Sequence, residues 1–333
     1  MLTKNSYNLS VFKTLCIIAL TKTKFWFSRN IFGAMLLLDG KIASQSVKQN
    51  LKTATQQLLE KGKRAPHLAA VLIGSNGASE TYVGSKVKTC AEIGYTSTLI
   101  RLEETITVSE LLQKITELNE DDAIDGILVQ LPLPKHINEG KIINSINPDK
   151  DVDGFHPVSV GRMVQGLETF IPATPYGIML MLEHYKIETK GKHAVVIGRS
   201  NIVGRPMSIL LSSNLPYGNC TVTICHSHTP DLNQLTLQAD IIIAALGRAE
   251  FVKADMVKAG AVIIDVGITR VNDATAAKGY RIKGDVEFQS VSTIAGAISP
   301  VPGGVGPMTI AGLMKNTMDA YIRRNAAPNP EGE

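Results

Sequence analysis

From Met35 onward the chain alternates between two hydrophobic periods. "IASQSVKQNLKTATQQLLEKG" spaces its apolar residues three and four apart, which predicts an amphipathic helix ended by Gly62. "HLAAVLIG" is a continuous apolar run and predicts a buried strand; "ETYVGSKVKTCAEIG" predicts a helix closed by Gly94. "TSTLIRL" predicts a second strand. "TVSELLQKITELNED" predicts a helix in which Thr107 is the N-cap and Glu110 completes a capping box. "DGILVQ" then predicts a strand with "LPLP" at its C-terminal end. Apolar strands separated by helices predict a parallel sheet covered on both faces.

The stretch "INPDKDVDGFHPVSVGRMVQGLETFIPATPYG" interrupts this series with Pro, Gly and Asp and reads as a connector. A second α/β series follows: "HAVVIG", a helix after Pro206, "CTVTIC", "LNQLTLQ", "DIIIAAL", "KADMVKAG" and "AVIIDVG". After "SPVPGGVG" a last amphipathic helix is expected over about 308–323, and "PNPEGE" reads as a frayed tail. The expected fold is therefore α/β with two domains. An N-terminal α/β domain would cover 35–174, completed by the C-terminal helix at about 306–324. A doubly wound, Rossmann-like domain would cover 175–305, with a cleft between the two.

Composition and charge add limits. The chain has 333 residues, 44% hydrophobic and 19% charged, as expected of an ordinary globular protein with ample core material. The net charge of +4 is uneven. Lys4, Lys13, Lys22, Lys24 and Arg29 lie in a stretch, 1–34, without an acid, and removing them leaves −1 for the remainder. That gives no footprint for a nucleic-acid partner. The apolar run "TLCIIAL" is far shorter than the ~20 residues that span a bilayer, so no membrane anchor is read there. Residues 1–34 have three readings: translation starting at Met35, an organellar transit peptide, or a disordered extension. The expected compartment is cytoplasmic, or organellar on the second reading. Cys16, Cys90, Cys220 and Cys225 form no CxxC, which argues against a disulfide framework or a zinc site.

Candidate chemistry clusters at strand ends. "HAVVIGRSNIVGRPMSILL" runs a buried strand into Gly198-Arg199-Ser200, then Gly204, then a helix. Glycine allows close backbone approach to a phosphate, and a helix N-terminus supplies N–H groups and a positive dipole end. The strand "CTVTIC" ends in His226-Ser227-His228 with no carboxylate before Asp231, where an NAD site would place an acid for the ribose hydroxyls. A hydroxyl and imidazoles, with Arg199 in reach, favour NADP over NAD. In the first half, Tyr82 and Lys86 share a helix face, Gln130 ends the strand "DGILV", and Asp151 and Asp153 lie in "PDKDVDGF". Taken singly, Tyr82 reads as a packed aromatic and Lys86 as a solvated helix lysine. No third ligand closes a metal site around the aspartates, so no metal is expected.

In order along the chain, "TYVGSKVKTCAEIG", "DGILVQLPLP", "INPDKDVDGFHPVSVGRM", "PATPYGIMLML", "VVIGRSNIVGRPM", "DVGITR", "GDVEF" and "PVPGGVGPMTIAGLM" resemble the bifunctional methylenetetrahydrofolate dehydrogenase/cyclohydrolases over 35–323. The resemblance implies NADP-dependent oxidation of 5,10-methylene-tetrahydrofolate, then hydrolysis of the methenyl product to 10-formyl-tetrahydrofolate in the same cleft. It implies a role in one-carbon metabolism and a homodimer formed through the cofactor domain. It further implies that Lys86 is the catalytic lysine, that Tyr82 lies against the aminobenzoyl ring, that Gln130 hydrogen-bonds the lysine and that Asp153 holds the pterin. Gly198, Arg199, Ser200 and Ile268 would line the NADP site, with Ser227 contacting the 2′-phosphate. Pro302, Gly303 and Gly304 would wall the cleft. Ala173 replaces a cysteine common in the family, and the loop "SNLPYGN" is longer than in many members, which could alter the nucleotide's surroundings. Competing readings are a member that retains only the dehydrogenase, and an NADP-dependent dehydrogenase of another small substrate. An amide at Gln130 would orient an amine without adding a counter-charge.

Overall fold

The computed structural model describes residues 35–276 and 279–325; the readings of segment 1–34 and of the C-terminal tail lie outside them. Helices and strands alternate as the pattern predicts. β1 (Leu36–Leu37), α1 (Gly40–Glu60), β2 (His67–Ile73), α2 (Gly77–Ile93), β3 (Thr96–Leu102), α3 (Val108–Glu120) and β4 (Gly126–Val129) are followed by short helices α4 (Glu139–Ile143) and α5 (Pro157–Val164). The expected capping box at Thr107 and Glu110 is present, and Gly94 ends α2 in the left-handed region at φ 82°.

β2, β3 and β4 form a parallel sheet in the order β3-β2-β4. Alternate residues of β2 feed two cores. Leu68, Ala70 and Leu72 pack with Val83 and Cys90 of α2, and Ala69, Val71 and Ile73 pack with Leu111 and Ile115 of α3. This two-sided burial is why the strand reads as an unbroken apolar run.

The second half adds α6 (Ala173–His184), β5 (His193–Ile197), α7 (Gly204–Ser212), β6 (Thr221–Cys225), α8 (Leu232–Thr236), β7 (Ile241–Ala244) and β8 (Val262–Asp265). Next come the hairpin β9 (Thr269–Asn272) and β10 (Tyr280–Lys283), then α9 (Phe288–Val291), β11 (Ala297–Ile298) and α10 (Val305–Asn325). Six strands form a second parallel sheet in the order β1-β11-β8-β7-β5-β6. Its strands also alternate between two cores, as Ile241 and Ile243 against Ile242 and Ala244 show in β7.

Three features depart from the sequence reading. Leu36 and Leu37, expected in the first half, pair with Ala297 and Ile298 at the edge of the six-stranded sheet. The β9–β10 hairpin was not anticipated, although "TRVN" and "YRIK" alternate polar and apolar residues as strands do. The "SNLPYGN" loop lies at the amino end of β6, where the Asn219 carbonyl accepts the Gly191 N–H at 2.9 Å. The nucleotide end of a parallel sheet is the carboxyl end, so this loop cannot alter the nucleotide's surroundings.

The last helix starts at Val305, three residues earlier than expected, because Pro307 falls in its first turn, where a proline costs no helical hydrogen bond. Its Leu313, Met314 and Met318 fill the core beside α2 and β2. It crosses α6 at two glycines. A Cβ at Gly177 would lie 2.4 Å from the Met308 carbonyl oxygen, and one at Gly312 would lie 2.6 Å from that of Ala173. Gly177→Ala is expected to lower stability by about 1–3 kcal/mol through overpacking, read as a fall in denaturant midpoint without a change in slope.

Candidate active site

The two sheets present the carboxyl ends of their strands to a common cleft of about 740 Å³. One wall comes from α1 and α2, through Lys41, Ser44, Lys48, Thr81, Tyr82 and Ser85. The other comes from Asp265–Ile268, from the hairpin through Arg270, Tyr280 and Ile282, and from the turn 300–307. Tyr82, Ile268, Pro302, Gly303 and Gly304, all singled out in the sequence, therefore share one cavity. The hairpin residues and the α1 face, with Lys41 and Lys48, did not stand out there. Arg270 stacks over the Tyr280 ring at 4.8 Å.

One turn beyond Tyr82, the side chain of Lys86 leaves the solvent. Asn76 caps α2 by accepting the N–H groups of Ala78 and Ser79, which sets the helix on the loop after β2. β4 runs beside β2, and the Gln130 N–H, just past its end, donates to the Val71 carbonyl at 2.9 Å. Lys86 and Gln130 thus meet where the strand order reverses, the place at which open parallel sheets bind ligands, one turn from Tyr82. The Lys86 ammonium, 6% exposed, donates to Gln130 Oε1 at 3.0 Å. Gln130 is oriented in turn, because its Nε2 donates to the Leu131 carbonyl at 2.7 Å.

The third member comes from the segment after β4. Asp151 bridges to Ile127, and its buried carboxylate accepts the N–H groups of Phe155 and His156 and the Ser159 hydroxyl. Asp151 is therefore a scaffold for the loop, and burial pushes its carboxyl up to about 7. Asp153, two residues on, is felt electrostatically by Lys86. Its position is held from behind by α10. The buried Asn316 donates to the Val152 and Ile171 carbonyls, both at 2.8 Å, and the Ala173 N–H reaches the Asp153 carbonyl at 3.3 Å. Asn316 gave no signal in the sequence, where it reads as one polar residue in an amphipathic helix.

Burial drives both charges of this pair toward neutrality. The Lys86 ammonium is pushed below its ordinary pKa by loss of water, an effect that the Asp153 carboxylate partly offsets. Asp153 is pushed up by burial and partly drawn back by Lys86. Burial also raises the Tyr82 phenol. The expected absence of a counter-charge at Gln130 holds for that side chain, but Asp153 supplies one beside it.

A second buried lysine gives the contrast. Lys150 is fully buried, and its ammonium donates to the Leu118, Asn119 and Asp121 carbonyls at 2.9, 2.7 and 2.7 Å. Three acceptors at the C-terminal end of α3 satisfy all three of its protons. Lys86 has one such bond among the described residues, so its amine keeps room to take or give a proton.

The glycine-rich turn lies at the corresponding end of the larger sheet. Gly198 has φ 127°, and a Cβ there would fall 2.1 Å from the Ala245 carbonyl oxygen. A Cβ on Gly204 would fall 2.2 Å from the Gly198 oxygen. Only glycines allow this strand-to-helix turn. The Ser200 hydroxyl accepts the N–H groups of Val203 and Gly204 at 3.2 and 3.3 Å, so the loop folds onto the start of α7. Gly198 is bonded to Cys225 of β6, which brings Arg199 and Ser200 to the same edge as His226 and Ser227. These polar groups, with no carboxylate among them, suit the phosphates of a dinucleotide and a 2′-phosphate. Lys86, Gln130, Asp153, Gly198, Arg199, Ser200 and Ser227 are not walls of the 740 Å³ cleft; Tyr82, and Ile268 on the loop after β8, are. Among the described residues no cluster of three or more His, Cys, Asp or Glu could hold a metal, and no helix is long and apolar enough to cross a membrane.

Comparison with known proteins gives the family. Residues 38–153 match the model for the tetrahydrofolate dehydrogenase/cyclohydrolase catalytic domain, and 172–325 match that for its NAD(P)-binding domain. The chain belongs to the tetrahydrofolate dehydrogenase/cyclohydrolase family. It is 64% identical to the bifunctional protein FolD of Flavobacterium johnsoniae, over 88% of this chain and 99% of that one. A crystal structure of the bifunctional enzyme FolD from Campylobacter jejuni superposes with TM-score 0.82 at 50% identity, covering 87% of this chain and all (100%) of that one. The Trypanosoma brucei enzyme, solved with NADP cofactor and an inhibitor, superposes with TM-score 0.83 at 35% identity, covering 88% and 99%.

The two buried lysines of this family member differ in how fully their ammonium groups are satisfied. Lys86→Met removes a poorly satisfied buried charge, so its melting temperature should equal or exceed that of the parent. Lys150→Met strips three buried carbonyls of their partner and should cost at least about 3 kcal/mol. Thermal melts of the two variants side by side check this; equal losses would contradict the assignment.

Proposed function

We propose that this chain oxidises 5,10-methylene-tetrahydrofolate with NADP⁺ and hydrolyses the methenyl product to 10-formyl-tetrahydrofolate. The observation that carries this reading is the buried Lys86 amine, held by one amide oxygen beside Asp153 and one turn from an aromatic facing a cleft. Its placement in a chain 64% identical to a bifunctional relative supports both activities together. When bound, NADP⁺ supplies the hydride acceptor.

For the oxidation, the chain's task is positioning, because nitrogen lone pairs in the substrate stabilise the cationic product. Tyr82 offers a flat face to the aminobenzoyl ring, Asp153 holds the pterin, and Pro302, Gly303 and Gly304 close the opposite side. Gly198, Arg199 and Ser200 cradle the dinucleotide phosphates, Ser227 meets the 2′-phosphate, and Ile268 bounds the cofactor where it enters the cleft.

Hydrolysis needs proton transfer. Water adds to the methenyl carbon of the cation and gives up a proton to the neutral Lys86 amine. The carbon–nitrogen bond of the ring then breaks, the departing ring nitrogen takes that proton back, and the hydroxyl becomes the formyl carbonyl as its own proton leaves. One water is consumed and one proton is released. An ordinary lysine, with pKa near ~10.4, is a poor base at neutral pH. Burial in an apolar setting, and the approach of a cationic intermediate, both favour the free amine. Gln130 orients this amine without adding charge.

The second reading, a dehydrogenase without the hydrolytic half, is disfavoured because Lys86 and Gln130 are both in place. We further propose a homodimer, supported by the exposed outer strand β6 with Ile224 41% exposed at the sheet edge. Buried free thiols at Cys90, Cys220 and Cys225 support a reducing, cytoplasmic setting, and the bifunctional relative supports a role in one-carbon supply.

Absorbance assays with 5,10-methylene-tetrahydrofolate and NADP⁺ or NAD⁺ test the reading. Reduced nicotinamide should appear with NADP⁺, and methenyl-tetrahydrofolate should decay faster than in buffer; the absence of both signals would sink the proposal. Lys86→Met should abolish the hydrolysis. Hydrolysis by the parent should rise with pH to a plateau whose midpoint lies below the ordinary lysine value. Gln130→Glu, by adding a negative charge, should move that midpoint up by about one unit or more. An unchanged profile would remove Lys86 from the proton-transfer role.

A further inference from the structure

The cofactor-side wall of the cleft has a brace that none of the roles above uses. The β9–β10 hairpin returns through Gly284 to Asp285, which is fully buried. Asp285 Oδ2 accepts two backbone N–H groups from the loop after β7, those of Leu246 at 2.7 Å and Gly247 at 2.9 Å. The Asp285 N–H donates to Asp265 Oδ1 at 2.8 Å. That same oxygen accepts the N–H of Gly267, on the loop after β8, at 2.9 Å. Asp265 is anchored further by Val286 N–H at 3.0 Å, and its own N–H donates to the Ser299 hydroxyl at 2.8 Å.

The packing around the pair leaves no slack. A Cβ at Gly267 would fall 2.4 Å from Asp285 Oδ1, and one at Gly284 would fall 1.8 Å from Asp265 Oδ2. Both glycines are required because the two carboxyl groups occupy their side-chain space. Asp285 Oδ1 is itself buried without a partner among the described residues. A buried acid is not kept in that state for its own hydrogen bonds alone, because an unpaired polar atom costs stability. Burial, with a smaller push from the neighbouring Asp285 charge, raises Asp265 to about 7.

The two loops joined by this brace are those that border the cofactor's entry: Ala245 closes over Gly198, and Val266, Gly267 and Ile268 form the cleft wall. We propose that Asp285 is a positioning residue for the dehydrogenase half-reaction, holding the loop after β7 with its carboxylate and the loop after β8 through Asp265. The inference rests on the NADP-dependent reading above. It predicts a functional asymmetry, because Lys86, Gln130 and Asp153 stand on the other sheet and receive no bond from the brace.

The test measures both activities of the full chain separately. Dehydrogenase activity is titrated with NADP⁺ at saturating 5,10-methylene-tetrahydrofolate; hydrolysis is followed from methenyl-tetrahydrofolate without cofactor. Asp285→Ala is expected to raise the KM for NADP⁺ about tenfold or more, while hydrolysis stays within about twofold of the parent. Asp285→Asn retains an oxygen for the Leu246 and Gly247 N–H groups and should restore the KM to within about threefold. An unchanged KM in Asp285→Ala overturns the proposal. So does a parallel loss of both activities in Asp285→Ala and Asp285→Asn, which would make the brace a folding element. A parent chain lacking NADP⁺-dependent oxidation would instead refute the underlying reading, independently of either variant.

Discussion

The candidate site depends on a single side-chain amide in the last helix. Asn316 of α10 donates both of its amide hydrogens, to Val152 on one side and to Ile171 on the other. These two carbonyls flank Asp153 in space, so the helix that ends the described chain sets the acid that faces Lys86. The helix can reach them only because Gly177 and Gly312 let α6 and α10 touch backbone to backbone. Close helix approach, a buried amide and the placing of the Asp153 backbone form one chain of cause.

Lys86 and Lys150 show how differently two buried lysines can be held. Burial lowers the pKa of each. Lys150 recovers the lost hydration through three carbonyls at a helix C-terminus, where the dipole also favours a cation. Lys86 recovers only one bond and faces an acid that is itself poorly hydrated. Its protonation is therefore less firmly fixed by the fold than that of Lys150. An amine in that condition can serve as both acceptor and donor of a proton.

Much of this was legible in the sequence, for physical reasons. Strands buried on both faces give unbroken apolar runs, so β2, β5 and β7 could be read directly, and Gly94 and Thr107 marked helix ends. Tyr82, Lys86, Gln130 and Asp153 were identified through their motifs, and the structure brings the last three together. What escaped was long-range. Leu36 and Leu37 pair with a strand some 260 residues away, a partner that no local pattern encodes. The β9–β10 hairpin is half exposed and short, so its alternation is weak. Asn316 and Asp285 act through buried bonds to distant backbone, and in sequence a satisfied core polar residue looks like any solvated one.

The placement of β1 and α10 has a mechanical meaning. The first strand belongs to the larger sheet, while the last helix fills the core beside the smaller one. The polypeptide therefore crosses between the two halves at its beginning, in its middle and near its end. Cutting the chain anywhere in the connector would leave one fragment with an exposed sheet edge and the other without its stolen helix. The two halves are topologically interlocked and should melt as one cooperative unit. Three crossings also act as three straps between the halves.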